Sequence, residues 1–118
     1  MSTRKDRAER EALLQDTLDL LILRTLELGP QHGQGIARRI QERSADALLV
    51  EHGSLYPALQ RLEDAGWVRA KWGVSENNRR ARFYSLTAKG ERRLEEEASR
   101  WQRLVEAVGR VLGPEREV

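Results

Sequence analysis

Between Leu13 and Leu28 the apolar side chains recur with the three- and four-residue spacing of an α-helix. The stripe consists of Leu14, Leu18, Leu21, Ile22, Thr25 and Leu28. Three more leucines widen it to most of the circumference: Leu20, Leu23 and Leu26. Because a helix that is apolar nearly all round is buried on several sides, this segment is predicted to form the central helix of the domain. Gly29-Pro30 predicts its end, since proline cannot continue the helix.

Two shorter helices are predicted next, over Gly33–Arg43 and Ser54–Ala65. Their inward-facing positions are Ile36, Ala37 and Ile40 in the first, and Leu55, Leu59 and Leu62 in the second. Pro57 is expected in the first turn of the second helix, where the amide groups have no partners within the helix. Gly66 is expected to stop that helix, because glycine readily adopts the backbone conformation that follows a helix end.

The periodicity then changes from that of a helix to that of a strand. Trp67–Trp72 alternates in character and favours β-structure, and Arg79–Leu86 has the features of a returning strand. Between them lies a segment of turn-forming residues, Gly73–Asn78. The sequence therefore predicts a β-hairpin directly after the third helix.

A long final helix is predicted over Ala88–Leu112, with Thr87 as a favourable N-cap. Its apolar residues are spaced alternately by four and three positions, which is the heptad pattern of a helix that packs lengthwise against another helix. We expect this helix to form the interface of a homodimer. The predicted interface residues are Leu94, Ala98, Trp101, Leu104, Val105, Val108 and Leu112.

Three helices followed by a hairpin are the order of elements in a winged helix-turn-helix domain, in which the hairpin is the wing. The predicted fold class is therefore mainly α, of the α+β type, with a winged helix-turn-helix and a C-terminal dimerisation helix. We divide the chain into a charged N-terminal extension (1–12), the winged domain (13–87), the dimerisation helix (88–112) and a tail (113–118). The extension is either a solvated helical lead-in or a basic arm that touches DNA phosphates.

Charge bears on function mainly through its placement, because the formal net charge of the 118 residues is only +2. Between Trp67 and Leu86 there are five basic residues and one acidic residue, whereas Ala88–Val118 carries seven of each. Arginines clustered on a protruding hairpin are suited to phosphate contacts and counterion release. We therefore expect the wing to bind double-stranded DNA; the alternative is a wing that is simply a solvated turn.

The third helix is expected to enter the major groove of DNA, which is wide enough for one α-helix. Its apolar side is used by the core, so the exposed residues near its N-terminal half are left for phosphates and base edges. Together with the second helix and the wing, the predicted DNA contacts are Gln34, Arg38, Ser54, Tyr56, Pro57, Gln60, Arg61, Lys71, Arg79, Arg80 and Arg82. For Tyr56, packing against the wing within the chain is the alternative.

Several stretches of the chain resemble the PadR family of transcriptional regulators. They are Thr17–Leu23, His32–Ala37, Gly53–Leu59 and Asn78–Tyr84. The segment Gly-Ser-Leu-Tyr-Pro-Ala-Leu, followed shortly by Arg-Leu-Glu, is the most specific part. The resemblance covers nearly the whole chain, and the short single C-terminal helix is similar to the family's small subclass.

The resemblance implies a dimeric repressor that binds an inverted-repeat operator and that is often released by a small aromatic or drug-like inducer. In some small members a tryptophan of the final helix lies at the dimer interface and stacks on flat ligands. Trp101 falls on the corresponding helix, where it is either plain interface core or also a ligand contact. The chain departs from the family at Asp16 and Gln34, where glycine and tyrosine are common, and at His52, where histidine is rare. None of these departures changes the predicted fold.

Other classes of function fit less well. The chain has no cysteine, and it shows neither a serine, histidine and acid order nor a phosphate-binding glycine loop. We therefore expect no enzymatic activity, no cofactor and no bound metal. A winged helix that serves only for protein interaction is the second hypothesis, and the arginines of the wing argue against it. No apolar run approaches the ~20 residues of a membrane span, so we expect no membrane contact and a cytoplasmic location.

Overall fold

The computed structural model describes residues 3–113 and, within its first helix, side chains from Gln15 onward. Along this part of the chain the elements are α1 (Thr3–Leu26), β1 (Gln31–His32), α2 (Gly33–Arg43), α3 (His52–Asp64), β2 (Val68–Val74), β3 (Arg80–Leu86) and α4 (Ala88–Leu112). This order confirms the predicted winged helix-turn-helix. The side chains of residues 1–14 and the tail 114–118 lie outside the described residues, so both hypotheses for the charged extension stay predictions.

α1 forms the centre of the core, as its wide apolar stripe predicts. Ile22 and Leu23 are 0% and 1% exposed. The helix ends at Leu26, however, and Leu28, which was predicted to face the core, is 66% exposed. After Leu26 the amides of residues 27–29 bond to carbonyls three residues back, so the chain leaves the helix through a tightened turn that satisfies the terminal carbonyls.

α2 has the bounds that its pattern predicts, and a side chain that the sequence did not single out caps it. The Nδ1 atom of His32 accepts a hydrogen bond from the backbone amide of Gly35 at 3.1 Å. The imidazole is buried, and its edge meets the ring of Phe83 with the centroids 5.4 Å apart. His32 therefore ties the start of α2 to the hairpin.

α3 begins at His52, two residues before its predicted start, and ends at Asp64. Gly66 has φ of 78°, which confirms it as the stop after this helix. The early start places Pro57 in the second turn, so its predicted place in the first turn was wrong. The helix tolerates this proline because the carbonyl left without a donor belongs to Gly53, and Gly53 is exposed to water.

The three strands form an antiparallel sheet with the order β1-β3-β2. The hairpin pairs Val68 with Leu86 and Val74 with Arg80, so β2 extends two residues into the segment that was predicted to be a turn. β1 is two residues long and pairs with the middle of β3. The sequence missed β1 because two residues are too few to produce an alternating pattern.

The start of α4 is fixed by Thr87, as predicted. Its Oγ1 atom accepts a hydrogen bond from the amide of Gly90 at 3.0 Å and donates one to the carbonyl of Gly66 at 2.6 Å. Gly90 itself lies directly against the backbone carbonyl of Trp67, where a Cβ atom would overlap the oxygen. A glycine is therefore needed here for the close approach of α4 to the segment that joins α3 to β2.

Among the described residues, the first part of α4 packs most closely on the rest of its own chain. Leu94 is 1% exposed and belongs to the core. This burial leaves Leu94 little surface for a second subunit, and its place in the dimer interface stays a prediction. Ala98 is half-buried, and every residue from Trp101 to Leu112 is exposed. The outer half of the helix is therefore an exposed rod with an apolar side.

Candidate nucleic-acid interface

A groove of about 540 Å³ separates the N-terminal halves of α2 and α3 from the outer part of the hairpin. We call it the wing groove. Most of the predicted DNA contacts line it, namely Gln34, Arg38, Tyr56, Gln60, Arg79, Arg80 and Arg82. Its lining includes four arginines and a single acidic residue, Glu76. The groove is therefore a basic surface, although the net charge of the chain is small.

Two residues of α3 face this groove from successive turns. Tyr56 and Gln60 are both exposed and lie beside the buried side of the helix, which is formed by Leu55, Leu59 and Leu62. A Cβ atom on Gly33 would lie 3.0 Å from the ring of Tyr56, so glycine lets α2 approach this ring closely. Tyr56 is nevertheless 44% exposed. It contacts α2 and still presents surface to a ligand in the groove.

The register of the hairpin decides which of its cations reach the groove. Trp72 pairs with Arg82, whereas Lys71 pairs with Phe83. Because directly opposed residues share one face of a sheet, Lys71 lies on the face away from the groove, together with Arg69. The register therefore separates Lys71 from the predicted DNA contacts that line the groove, and its own DNA contact stays a prediction.

Arg61 also lies away from the wing groove. Its Nη2 atom donates a hydrogen bond to Oδ1 of Asp19 on α1 at 2.9 Å. The reason is the 100° step between successive helix positions, which turns Arg61 from the side of Gln60 towards α1. Arg61 thus links α1 and α3, and its predicted DNA contact stays a prediction. Ser54 and Pro57 are exposed but are not among the residues that line the groove.

The arginines on the groove face of β3 have different partners. The guanidinium of Arg80 lies over the indole of Trp72, with its carbon 4.5 Å from the ring centroid. The Nη2 atom of Arg82 is 3.0 Å from Oε2 of Glu63 on α3. Arg82 also lies 5.9 Å from the ring centroid of Tyr84, a buried residue whose phenol pKa is raised by that burial.

Trp72, Glu63 and Tyr84 were not singled out from the sequence as residues of this site. Trp72 and Tyr84 could have been found from the alternation of side chains along β2 and β3. This alternation places them on the same face of the sheet as Arg80 and Arg82. The contact of Glu63 depends on the angle between helix and hairpin, which no local pattern encodes.

A second cavity, also of about 540 Å³, lies between α1, the end of α3 and the middle of α4. We call it the helix cleft. Its apolar lining consists of Leu20, Leu23, Ala65, Trp67, Trp101 and Leu104. The guanidinium of Arg93 stands 4.6 Å from the centroid of the Trp67 ring and forms an ion pair of 3.0 Å with Glu97. Trp101, the candidate ligand contact, is 41% exposed at the margin of this cleft.

The predicted dimer seam remains largely uncovered in the single chain. Trp101, Leu104, Val105 and Val108 are each between 41% and 48% exposed, and Leu112 is 79% exposed. These residues follow one side of α4 at heptad spacing. Among all the helices of the described residues, none is both long enough and apolar enough to cross a membrane.

The chain is similar in sequence and in fold to known transcriptional regulators. Residues 22–96 match the model of the PadR-like family of transcriptional regulators. A PadR-like transcription factor from Bacteroides fragilis is 28% identical, with a TM-score of 0.72 over 88% of this chain and 98% of that one. A PadR family transcription regulator from Clostridium difficile is also 28% identical, with a TM-score of 0.70 over 80% and 97%. A transcriptional regulator from Clostridium thermocellum shares the fold, with a TM-score of 0.78 at 22% identity over 86% and 99%.

Proposed function

Because the chain belongs to the PadR-like family of transcriptional regulators, which are not enzymes, we propose that it represses transcription by binding double-stranded DNA as a homodimer. In this proposal α3 enters the major groove, and the wing lies along the sugar-phosphate backbone. The location proposed for this activity is the cytoplasm.

The wing groove is the observation that carries the proposal. It brings four arginines to the side of the molecule where Tyr56 and Gln60 of α3 are exposed. Arginine guanidinium groups donate to phosphates, and a glutamine amide can pair with the edge of adenine in the major groove. One surface thus holds the groups that fix position and a group that reads sequence.

The homodimer is supported by the uncovered apolar side of α4. Trp101, Val105 and Val108 lie one or two turns apart on the outer part of α4 and are 41%, 46% and 44% exposed in the single chain. A second copy would bury the same residues by a two-fold arrangement, in which each subunit offers the same patch. Two α3 helices related in this way fit an inverted-repeat operator, with half-sites about 34 Å apart.

The proposal also includes release from DNA by a small-molecule inducer that binds in the helix cleft. The helix cleft is lined by the partly buried Trp67 and by Trp101, which is 41% exposed, and such aromatic side chains suit a flat, aromatic or drug-like molecule. Arg61 also lines this cleft and belongs to α3, so a bound molecule would touch the DNA-binding helix directly. The alternative is that Trp101 serves only the packing of the dimer.

The test is selection of bound fragments from genomic DNA, followed by affinity measurements on the selected operator at several salt concentrations. The hairpin offers a charge-matched control. Arg79→Gln with Arg80→Gln removes two cations next to the groove, whereas Arg69→Gln with Lys71→Gln removes two from the other face. The first pair should weaken binding by more than tenfold and the second by much less. Equal losses would overturn the part given to the wing groove and leave DNA binding intact. Absent binding by the wild type, or binding that does not respond to salt, would favour a protein-interaction module instead.

A further inference from the structure

Arg80 and Arg82 lie two residues apart on the same face of β3, yet they are held in different ways. Arg80 is exposed and stacks on the indole of Trp72. Arg82 is partly buried and forms an ion pair with Glu63, with side-chain exposures of 38% and 28% for the two residues. Among the described residues, Arg82 is the hairpin arginine that forms an ion pair, whereas Arg80 contacts an aromatic ring.

Stacking and ion pairing leave a guanidinium with different capacities. A guanidinium held over an aromatic ring has no acceptor atom there for its N–H groups, so these groups can still donate to phosphate oxygens. In a guanidinium paired with a carboxylate, the carboxylate already accepts from some of the N–H groups, and its negative charge offsets the positive one. Arg80 is therefore ready to bind an anion, whereas Arg82 already has one.

The exposure of Trp72 fits this difference. Trp72 is 55% exposed on the hairpin, and the exposed indole holds the guanidinium of Arg80 over its ring. The register sets Trp72 directly opposite Arg82 and diagonal to Arg80, and the guanidinium that lies over its ring is that of Arg80. The ring limits the conformations of the long Arg80 side chain before DNA arrives, which lowers the entropy lost on binding.

We propose that the wing divides its work between these two arginines. Arg80, positioned by Trp72, is the phosphate contact. Arg82 is a positioning residue that joins the wing to α3 through Glu63 and so sets the width of the wing groove. This inference rests on the proposed DNA binding and changes the expectation that both arginines contact phosphates.

The experiment measures the affinity of the full chain for a mixed-sequence duplex over a range of salt concentrations. Each phosphate contact contributes about 0.9 to the slope of log affinity against log salt. We expect Arg80→Gln to reduce the slope by about 0.9 for each wing on the DNA. Arg82→Gln and Glu63→Gln should leave the slope unchanged and lower the affinity. Trp72→Leu should weaken binding by about two- to fivefold at constant slope, and Trp72→Phe, which keeps a ring, by less.

A second arm uses the free protein and does not depend on DNA. Urea unfolding is followed for Glu63→Gln, Arg82→Gln and the double variant. Because both single changes break the same contact, the midpoints should fall by similar amounts, and the double variant should fall little further. Arg80→Gln is the matched control and should not shift the midpoint.

The outcomes separate the two levels of the proposal. A wild type that binds while Arg80→Gln and Arg82→Gln lose equal slope would overturn the division between the arginines and leave DNA binding intact. Additive losses of stability in the double variant would overturn the role of Glu63. A wild type that binds no duplex would overturn the proposed function, and the phosphate role of Arg80 with it.

Discussion

The guanidinium of Arg61 and the carboxylate of Asp19 meet across the interface of α3 and α1, with Nη2 and Oδ1 at 2.9 Å. Glu63, two residues further along α3, meets Arg82 of the wing at 3.0 Å. α3 is thus held by ionic contacts on two sides, one towards the helical layer and one towards the hairpin. In the proposed complex, the angle at which α3 is presented to DNA depends on both contacts.

The Asp19 contact predicts a pH dependence of stability. Burial raises the pKa of the Asp19 carboxyl above its ordinary value of 3.8, although the hydrogen bond and charge of Arg61 act in the opposite direction. The folded protein therefore holds this proton more tightly than the unfolded chain does. The resulting stability is present at low pH and is lost as the pH rises through the raised pKa. Relative to Asp19→Asn, the wild type should lose free energy of unfolding over this range.

Urea unfolding of the wild type and Asp19→Asn at a series of pH values measures that difference. If the free energy of unfolding of the wild type instead rises relative to Asp19→Asn as the pH rises, the ion pair with Arg61 affects the pKa of Asp19 more than burial does. The pKa of Asp19 would then be lowered rather than raised.

Gly90→Ala should destabilise the fold. The added methyl group would overlap the carbonyl oxygen of Trp67, which is backbone and cannot rotate away. Overpacking of this kind typically costs about 1–3 kcal/mol, although alanine favours helix more than glycine does. Gly109→Ala is the control, because nothing lies within 4 Å of the position of its Cβ atom. Thermal unfolding of both variants decides the point: a Gly90→Ala variant as stable as Gly109→Ala contradicts this close approach.

Val105→Glu and Val108→Glu should dissociate the proposed dimer. Each would place a carboxylate in the apolar seam, where burial of an unpaired charge is strongly unfavourable. We expect a dissociation constant raised by at least tenfold, which is about 1.4 kcal/mol. Sedimentation equilibrium measures it. Ser99→Glu adds the same charge at an exposed position on the opposite side of α4 and should leave the dimer intact. Equal dissociation by Ser99→Glu would point to net charge rather than the seam.

Gln60→Ala and Tyr56→Ala should change the preference among operator variants. Both side chains are exposed towards the wing groove, and loss of a base contact typically costs about 1–3 kcal/mol at one position of the site. Competition binding between the selected operator and its single-base variants measures this. If either change weakens binding to all variants by the same factor, that residue contacts the backbone and does not read bases.

Much of the fold could be predicted because it follows from local patterns. The bounds of α2 and α4 are those expected, and Thr87 and Gly66 act as the expected cap and stop. These features depend on residues within one or two turns of each other. β1 escaped prediction because its two residues form a strand only by pairing with β3.

The site could be predicted in composition but not fully in arrangement. Arg79 and Arg80 line the wing groove as expected. Lys71 and Arg61 do not, since their directions depend on strand register and on the turn of α3 against α1. Leu94 shows the same limit for the dimer seam: its heptad position is regular, but the packing of its own chain buries it.

The sequence by itself determined the order of elements, the winged helix-turn-helix, the basic wing and the apolar side of α4. Hydrophobic periodicity and charge placement are properties of neighbouring residues, so they can be seen before the chain folds. Only the tertiary structure decided the partners of the cations, with Arg61 on Asp19, Arg82 on Glu63 and Arg80 on Trp72. The physical reason is that a guanidinium reaches whatever acid or ring packing brings within a few ångströms, and those partners come from elements distant in sequence or across a strand pair.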